Sequence, residues 1–548
     1  MRKSRTLLPV VVAAILTAGI SADCLVGAEP DPLAAAAAID RLIDVRLAEA
    51  GIPASPPAED EEFLRRVTLD VIGRIPTYEE TTGFLISDEE RKRGRLIDRL
   101  LDSPAHGVHF ATIWNELIVP RDNAIKKSPR DPFIPWLAEQ INRSRGWDQI
   151  VIDLLTVEGK IRDRPQAGFI LANSESFEPQ PALLADATAR LFWGVQLRCA
   201  ECHDHPFAPW KQQEFWETAA FFSRLRKGYS DGKNPAGLTL TEAAPDEPVS
   251  QQFTKSLAAP NVDGPAIVVP TTGGKLAGQV VHGKFLGGAQ PPWADDGPFR
   301  DRFANWAVGK DNPWFAANAV NRLWAHFFGR GLVHPLDGFH AECTPSHPQI
   351  LDLLARELVD SGFDLKHVIR IITSTRAYQR TSRPVSGNEN DVELASHMAV
   401  KVMRPEMLYD SLSLVLDPPR PKPGSKTPGP GGLAPLPGTP RDEFVRLFGT
   451  RPDENAGSIV NAGVPQFLKL LNGPLLNQSS PVLERLHNEN LQTADAVMAL
   501  YLTALSRLPT DEESKAMQDY VAGHGDAQQA YGGVLWTLVN SAEFVMNH

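Results

Sequence analysis

The chain has 548 residues, with 67 Asp and Glu against 55 Lys and Arg, and a formal net charge of −12. An acidic balance of this size disfavours nucleic acid and an anionic membrane surface as partners. Four cysteines over this length exclude a disulfide-framed fold, and the chain is long enough to stabilise two or more domains by hydrophobic burial.

The N-terminus carries Arg2, Lys3 and Arg5, an apolar run from Leu7 to Ile20, and Val26-Gly27-Ala28. This pattern predicts a secretory signal over residues 1–28, cleaved after Ala28. An uncleaved anchor is the alternative, although the run is short for a membrane span. A lipoprotein reading of Cys24 is opposed by Asp23, which stands where a small residue is expected. No later segment approaches ~20 uninterrupted apolar residues, so no span is expected after signal removal. The expected location is the periplasm or cell envelope.

Residues 29–225 read as mostly helical. Ala34–Ala50 places Ile39, Leu42, Ile43 and Leu47 on one stripe. A helix over Glu61–Ile72 stops at Gly73-Arg74-Ile75-Pro76, and Thr77 with Glu80 forms a capping box for the next. Ser103-Pro104 opens another, as N-cap and first-turn proline. A helix over Leu183–Leu197 is expected to run directly into Cys199. Residues 226–295 lose this periodicity, and Ile267-Val268-Val269 and Gln279-Val280-Val281 read as short strands.

Residues 296–548 return to helix. Ser346 is expected to cap a helix that carries Pro348 and stops at Gly362, and Asp364 caps the next. The Pro/Gly-rich segment 417–440 has no buriable pattern and is expected to be extended or mobile. Arg74-Ile75-Pro76-Thr77-Tyr78-Glu79-Glu80 is echoed by Arg507-Leu508-Pro509-Thr510-Asp511-Glu512-Glu513. One capping sequence used twice explains this, and a duplicated helical hairpin is the alternative. The expected fold class is mainly α, with two helical domains joined by a small β-containing connector.

Cys199-Ala200-Glu201-Cys202-His203 spells C-x-x-C-H, the attachment signature of a c-type haem. Cys199 and Cys202 would anchor the porphyrin, and His203 would be an axial ligand of the iron. Asp204 or a backbone carbonyl would orient that imidazole. Phe192, Trp193, Phe207, Trp210, Phe215 and Trp216 would supply an apolar wall, or serve as ordinary helix packing. Zinc is the alternative cofactor, held by Cys199, Cys202 and either His203 or His205. A redox disulfide is a further reading, but nothing nearby resembles a thioredoxin-like unit.

No methionine lies between Met1 and Met398, so the usual downstream sixth ligand is missing and a five-coordinate iron is expected. His282 is the other position considered. His326, His334, His340, Cys343 and His347 form a second concentration whose spacings fit no compact zinc pattern. Asn321, Arg322, Arg330 and Asp337 read as a buried polar network. No phosphate-cradling glycine loop or serine nucleophile elbow occurs.

Several long motifs resemble the planctomycete cytochrome-like domain of unknown function. These are Phe63-Leu64-Arg65-Arg66 through Leu69-Asp70-Val71-Ile72-Gly73, then Arg99-Leu100-Leu101-Asp102-Ser103-Pro104, and Ala189-Arg190-Leu191-Phe192-Trp193-Gly194 into the Cys199–Phe207 segment. Asn312-Pro313-Trp314-Phe315, Asn321-Arg322-Leu323-Trp324, Ser346-His347-Pro348, Gly362-Phe363-Asp364-Leu365, Ser374-Thr375-Arg376-Ala377-Tyr378, Leu471-Asn472-Gly473-Pro474 and Asn540-Ser541-Ala542-Glu543-Phe544 resemble the planctomycete-specific domain that commonly follows it. After Gly331 the chain departs from the acidic tendency of that domain, with His334 and His340. The resemblance implies no catalytic residues.

These readings together predict an exported mono-haem c-type redox or haem-binding protein, with a redox partner or envelope protein as its partner. The alternatives are an extracytoplasmic metal-dependent enzyme acting on complex polysaccharide and a non-catalytic envelope interaction protein.

Overall fold

The computed structural model describes residues 31–119, 130–175, 177–230, 237–243, 264–271, 273–288, 299–340, 343–416, 440–448, 480–489 and 491–548. The expected signal over 1–28 and the Pro/Gly-rich segment, apart from residue 440, lie outside them. So does Leu471-Asn472-Gly473-Pro474.

The described chain is mainly α, with small sheets of two or three strands. Helix α1 (Pro32–Ala50) starts where the Asp31 carboxylate accepts from Leu33 N, and it stops at Gly51 in the left-handed region. It buries Ala35, Ala36, Ile39, Ile43 and Leu47. Helix α2 (Asp60–Ile72) is buried continuously from Phe63 to Ile72, so it is a central helix rather than an amphipathic surface one. Thr77 and Glu80 form the expected capping box at the head of α3 (Tyr78–Leu85). Helix α4 (Lys92–Asp102) leads through Ser103, which accepts from Ala105 N, into α5 (Pro104–Ile118). Helices α6 (Arg130–Asn142), α7 (Trp147–Thr156), α8 (Gly168–Ala172) and α9 (Pro181–Thr188) follow.

The helix expected to enter Cys199 ends earlier. After α9 the backbone widens into a π-type turn over Ala189–Trp193 and stops at Gly194, whose φ is 67°. Phe339, Asn318 and the Leu336 carbonyl crowd the space where a Cβ on Gly194 would sit. Glycine therefore meets both the left-handed backbone and the close approach of a distant segment.

The connector contains the two expected strands. In chain order the strands are β1 (Gly159–Lys160), β2 (Ser174–Glu175), β3 (Glu178–Pro179), β4 (Leu225–Tyr229), β5 (Leu238–Glu242), β6 (Ala266–Val268) and β7 (Val280–His282). Strands β1, β5 and β4 form one antiparallel sheet, and β6 pairs antiparallel with β7, with Ile267 opposite Val281. Helix α10 (Gln212–Ala219) lies between the C-x-x-C-H segment and strands β4 to β7 in sequence.

The remaining helices include α11 (Phe299–Ala307), α12 (Phe315–Phe328), α13 (Pro348–Asp360), α14 (Leu365–Ser374), α15 (Pro405–Val415) and α16 (Pro440–Phe448). Asp364 caps α14 as expected, accepting from Lys366 N. Ser346 does not cap α13. The N-cap is His347, and the Ser346 hydroxyl lies 3.1 Å from its Nδ1.

Among the described residues, most buried apolar side chains fall into two clusters. One runs from Ala35 to Met398 and is shared by both helical regions. The other joins Leu69 and Ile75 to residues between Met403 and Phe544.

The Arg-x-Pro-Thr echo lies at this second cluster. Arg74 forks onto Glu80 at 2.7 and 2.9 Å, and Arg507 forks onto Glu513 at the same distances. A positive-φ residue precedes each arginine, Gly73 in one copy and Ser506 in the other. Both copies have the reciprocal capping box. The likeness therefore extends beyond the cap to a repeated helix–turn–helix unit. Arg65, on the first unit, donates to the Ala504 carbonyl of the second at 3.1 Å.

A buried polar node closes the fold. The Asp70 carboxylate accepts from Tyr378 Oη at 2.9 Å, Lys401 Nζ at 2.7 Å and Asn547 Nδ2 at 2.7 Å. Lys401 also donates to the carbonyls of His326 and Phe327, in the last turn of α12. Lys401–Val402 (β8) pairs with Met546–Asn547 (β9), which brings the C-terminal residues to the node.

Candidate functional site

Past Gly194 the chain forms an isolated bridge, with Val195 opposite Gly338, and Phe339 N donates to the Gly194 carbonyl at 3.0 Å. A short 3-10 turn, Arg198–Glu201, then carries the first cysteine. Its Ala200 N donates to the Leu197 carbonyl at 2.8 Å. Ala200 is buried and pins the turn to the core, while Cys199 and Cys202 are free and exposed.

His203 is exposed, and its Nδ1 lies 2.7 Å from the backbone carbonyl of Asp204. That carbonyl can only accept, so Nδ1 carries the proton and Nε2 is the lone-pair nitrogen. Asp204 thus orients His203 through its main chain. Its carboxylate instead accepts from Gln212 N at 3.0 Å, at the start of α10, and from Lys211 Nζ at 3.4 Å. The bond from Gln212 N, with Lys211 beside it, holds the Asp204 carboxyl below the usual carboxylate range.

His205 has a different role. Its Nδ1 accepts from Phe207 N at 3.1 Å and from Ala208 N at 2.9 Å. The neutral ring must then carry its proton on Nε2, which leaves no lone pair for a metal. His205 serves as the brace of a turn closed by its own N–H donating to the Trp210 carbonyl at 2.8 Å. Partial burial, followed by the nearby His340 and His203, lowers its pKa.

The aromatic residues divide sharply. Phe192, Trp193, Trp210, Phe215 and Trp216 are buried against protein. Trp193 packs on Phe303, Trp306 and Trp314, and its Nε1 donates to the Ala307 carbonyl. Phe207 alone of the six is exposed, at 75%. The protein thus supplies a rigid aromatic base beneath the motif and one exposed ring beside it.

The second His/Cys concentration is dispersed. His326, in the last turn of α12, reaches the end of α2, with Nε2 at 2.8 Å from the Asp70 carbonyl. His340 is the member placed near the motif, through the Gly338–Phe339 pairing with Gly194–Val195 and its electrostatic influence on His205. Cys343 is free, and its thiol faces the His334 carbonyl at 3.5 Å. Among the described residues, no three His, Cys, Asp or Glu side chains group to hold a metal ion.

The expected polar network separates into distinct contacts. The Asn321 amide clamps both backbone groups of Val333 at 2.9 Å, Arg322 reaches the Arg190 carbonyl, and Arg330 pairs with Glu393. Met398 is buried in the first apolar cluster, and Met403 and Met407 in the second. His282 is exposed at the end of β7, opposite Ala266.

Sequence reasoning missed the buried histidines of α5. His106 Nδ1 lies 3.1 Å from the Val71 carbonyl, and the His109 ring is 5.7 Å from that of His326. With His326 they gather at the open carbonyl end of α2. The i, i+3 spacing of His106 and His109 was the signal available in the sequence.

Among the described residues, no helix is long and apolar enough to cross a membrane. No curated protein and no solved structure matches the chain. Residues 38–227 match PSCyt2, a protein family of unknown function (DUF1549), and residues 299–431 match PSD1, a protein family of unknown function (DUF1553). The first match contains the whole C-x-x-C-H segment, and the second contains His326, His340 and Lys401. The chain therefore belongs to the proteins that carry a PSCyt2 domain followed by a PSD1 domain.

Proposed function

We propose that the chain is an exported c-type haem protein with a single covalent attachment site at Cys199, Cys202 and His203. The observation that carries this reading is the donor set itself. Two free, exposed thiols flank a buried Ala200, and the next residue is an exposed imidazole whose Nδ1 is tied to a carbonyl. Such a tie is the usual partner of a metal-ligating histidine, because it fixes the tautomer and ring orientation and leaves Nε2 to bind.

The residues fit the group in chemistry. Each thiol would add its S–H across one vinyl C=C, forming one C–S and one C–H bond without net oxidation. His203 would present Nε2 to the iron, and Asp204 would keep Nδ1 protonated. When bound, the haem would supply one-electron exchange or ligand binding at iron. Cys199 and Cys202, which would hold the group, stand on the surface, and Phe207 is an exposed ring in the same segment. An electron-transfer partner could then reach the group without opening the core. The signal over residues 1–28 belongs to the same reading, since this attachment takes place outside the cytoplasm.

Replacement of both thiols tests the proposal. The Cys199→Ala/Cys202→Ala variant, made beside a haem-attachment system, is expected to fold normally and to release all haem on acid–acetone extraction. The unsubstituted chain is expected to retain it. Equal extraction from both would overturn the proposal.

A further inference from the structure

The Arg198–Glu201 turn has 3-10 backbone bonds of its own, and at its exit the main chain is held in addition by two side chains of α10. Trp216 Nε1 donates to the Glu201 carbonyl at 3.0 Å, and Gln212 Nε2 donates to the same carbonyl at 3.2 Å. Gln212 Nε2 also makes a short bond to the Gly273 carbonyl in the connector. One buried amide therefore bridges the motif and the loop between β6 and β7. Gln212 is 5% exposed and Trp216 fully buried, so water does not compete for these bonds.

The connector loop presses on the next carbonyl along. Gly274 has φ 55°, and a Cβ built on it would overlap the Cys202 carbonyl oxygen. The loop thus approaches Cys202 at a distance only glycine allows. On the other side, the Asp204 carboxylate holds Gln212 N. Residues 201, 202 and 204 are each held by α10 or the connector, and His203 lies between them.

We infer that Gln212, with Trp216 and the Gly273–Gly274 turn, is a positioning clamp that fixes Cys202 and His203 relative to Cys199. What the clamp serves follows from the haem-attachment reading, and that it exists follows from the hydrogen bonds alone. Addition of two thiols to two vinyl groups of one rigid macrocycle requires a set separation between the sulfurs. A turn free to unwind at Cys202 would complete the first thioether and miss the second. The clamp also gives the connector a function, since it completes the geometry of a motif that precedes it by about seventy residues.

The test compares Gln212→Leu, which keeps the volume and removes both donor bonds, with Gly274→Ala, which leaves Gln212 intact and displaces the Cys202 carbonyl. In haem-free protein, amide exchange in the peptide covering residues 198–205 is expected to accelerate about tenfold in each variant, as loss of such bonds implies. Exchange elsewhere stays as in the unsubstituted chain. In haem-loaded protein, the reduced pyridine haemochrome α-band is expected to move to longer wavelength, because an unreacted vinyl group stays in conjugation. If the unsubstituted chain takes up no haem but the local exchange still accelerates, the clamp stands and the haem reading falls. Unchanged local exchange in both variants, or acceleration spread through the whole core, would overturn the clamp.

Discussion

Lys401→Met is expected to lower the unfolding free energy by about 3–5 kcal/mol, the usual cost of removing one partner from a buried ion pair. Lys401 and Asp70 are both buried, and their contact at 2.7 Å excludes water. Removing the ammonium leaves the Asp70 carboxylate with only Tyr378 and Asn547 as donors. It also strips the His326 and Phe327 carbonyls of their shared donor, at a helix end where carbonyl groups have no partner within the helix. The loss reaches far because the node joins residues remote in sequence, namely α2, α12, Tyr378 and the C-terminal strand. The double variant Asp70→Leu/Lys401→Met is expected to be more stable than Lys401→Met alone, since no uncompensated charge remains. Urea unfolding followed by tryptophan fluorescence measures both. A loss below about 1 kcal/mol in Lys401→Met would mark the pair as solvated rather than buried.

Acidification is expected to destabilise the fold well before the carboxylates titrate. Burial, and only secondarily neighbouring charge, pushes His106 down to about 4 and His326 down to about 3, with His109 well below its ordinary value. His347, also held down mainly by burial, lies at about 4. The folded protein keeps these rings neutral, whereas the unfolded chain binds protons below about pH 6.5. Proton uptake therefore favours unfolding as the pH falls. The stabilisation is fully present above about pH 6.5 and is lost progressively down to about 4 for His106 and about 3 for His326. Each ring contributes a slope of roughly 1.4 kcal/mol per pH unit within its window. His106→Gln can still donate to the Val71 carbonyl but cannot titrate. Its stability is expected to fall less steeply between pH 6.5 and 4.5 than that of the unsubstituted chain, by about 1 kcal/mol per pH unit. Identical slopes would show that His106 is not held neutral in the fold.

Much of the helical framework was legible because its signals are local. Thr77 with Glu80, Ser103 with Pro104, Asp364 and Gly362 act within one turn of the helix ends they define. The strands around Ile267 and Val280 announced themselves by β-branched residues between glycines and prolines. The break at Gly194 was not legible, because the apolar run before it continues a helical pattern. What makes the left-handed turn necessary is Phe339, a residue from the other family region. Ser346 looked like a cap because serine favours the position just ahead of a helix with a first-turn proline, but its hydroxyl turns to His347, which stands between it and Pro348.

The motif could be picked out in the sequence, but not its setting. Cys199, Cys202 and His203 could be named from spacing alone. That Asp204 would act on His203 through its carbonyl, that His205 would brace a turn, and that Gln212 would bridge to the connector all depend on three-dimensional placement. The motif from Phe63 through Gly73 holds the fold together. Its Arg65, Arg66 and Asp70 bind backbone and side chains from Tyr378 to Asn547 and lie in α2, away from the C-x-x-C-H turn. Family motifs here therefore mark the framework as much as the chemistry. The short Cys199–His203 segment is where the two thiols and the imidazole meet solvent.

The most direct measurement is the reduced pyridine haemochrome of the full chain, produced with a haem c attachment system and quantified against protein. The expected result is one covalently retained haem per chain, lost when Cys199 and Cys202 are both replaced. A folded, full-length chain with no α-band would contradict haem attachment at Cys199, Cys202 and His203.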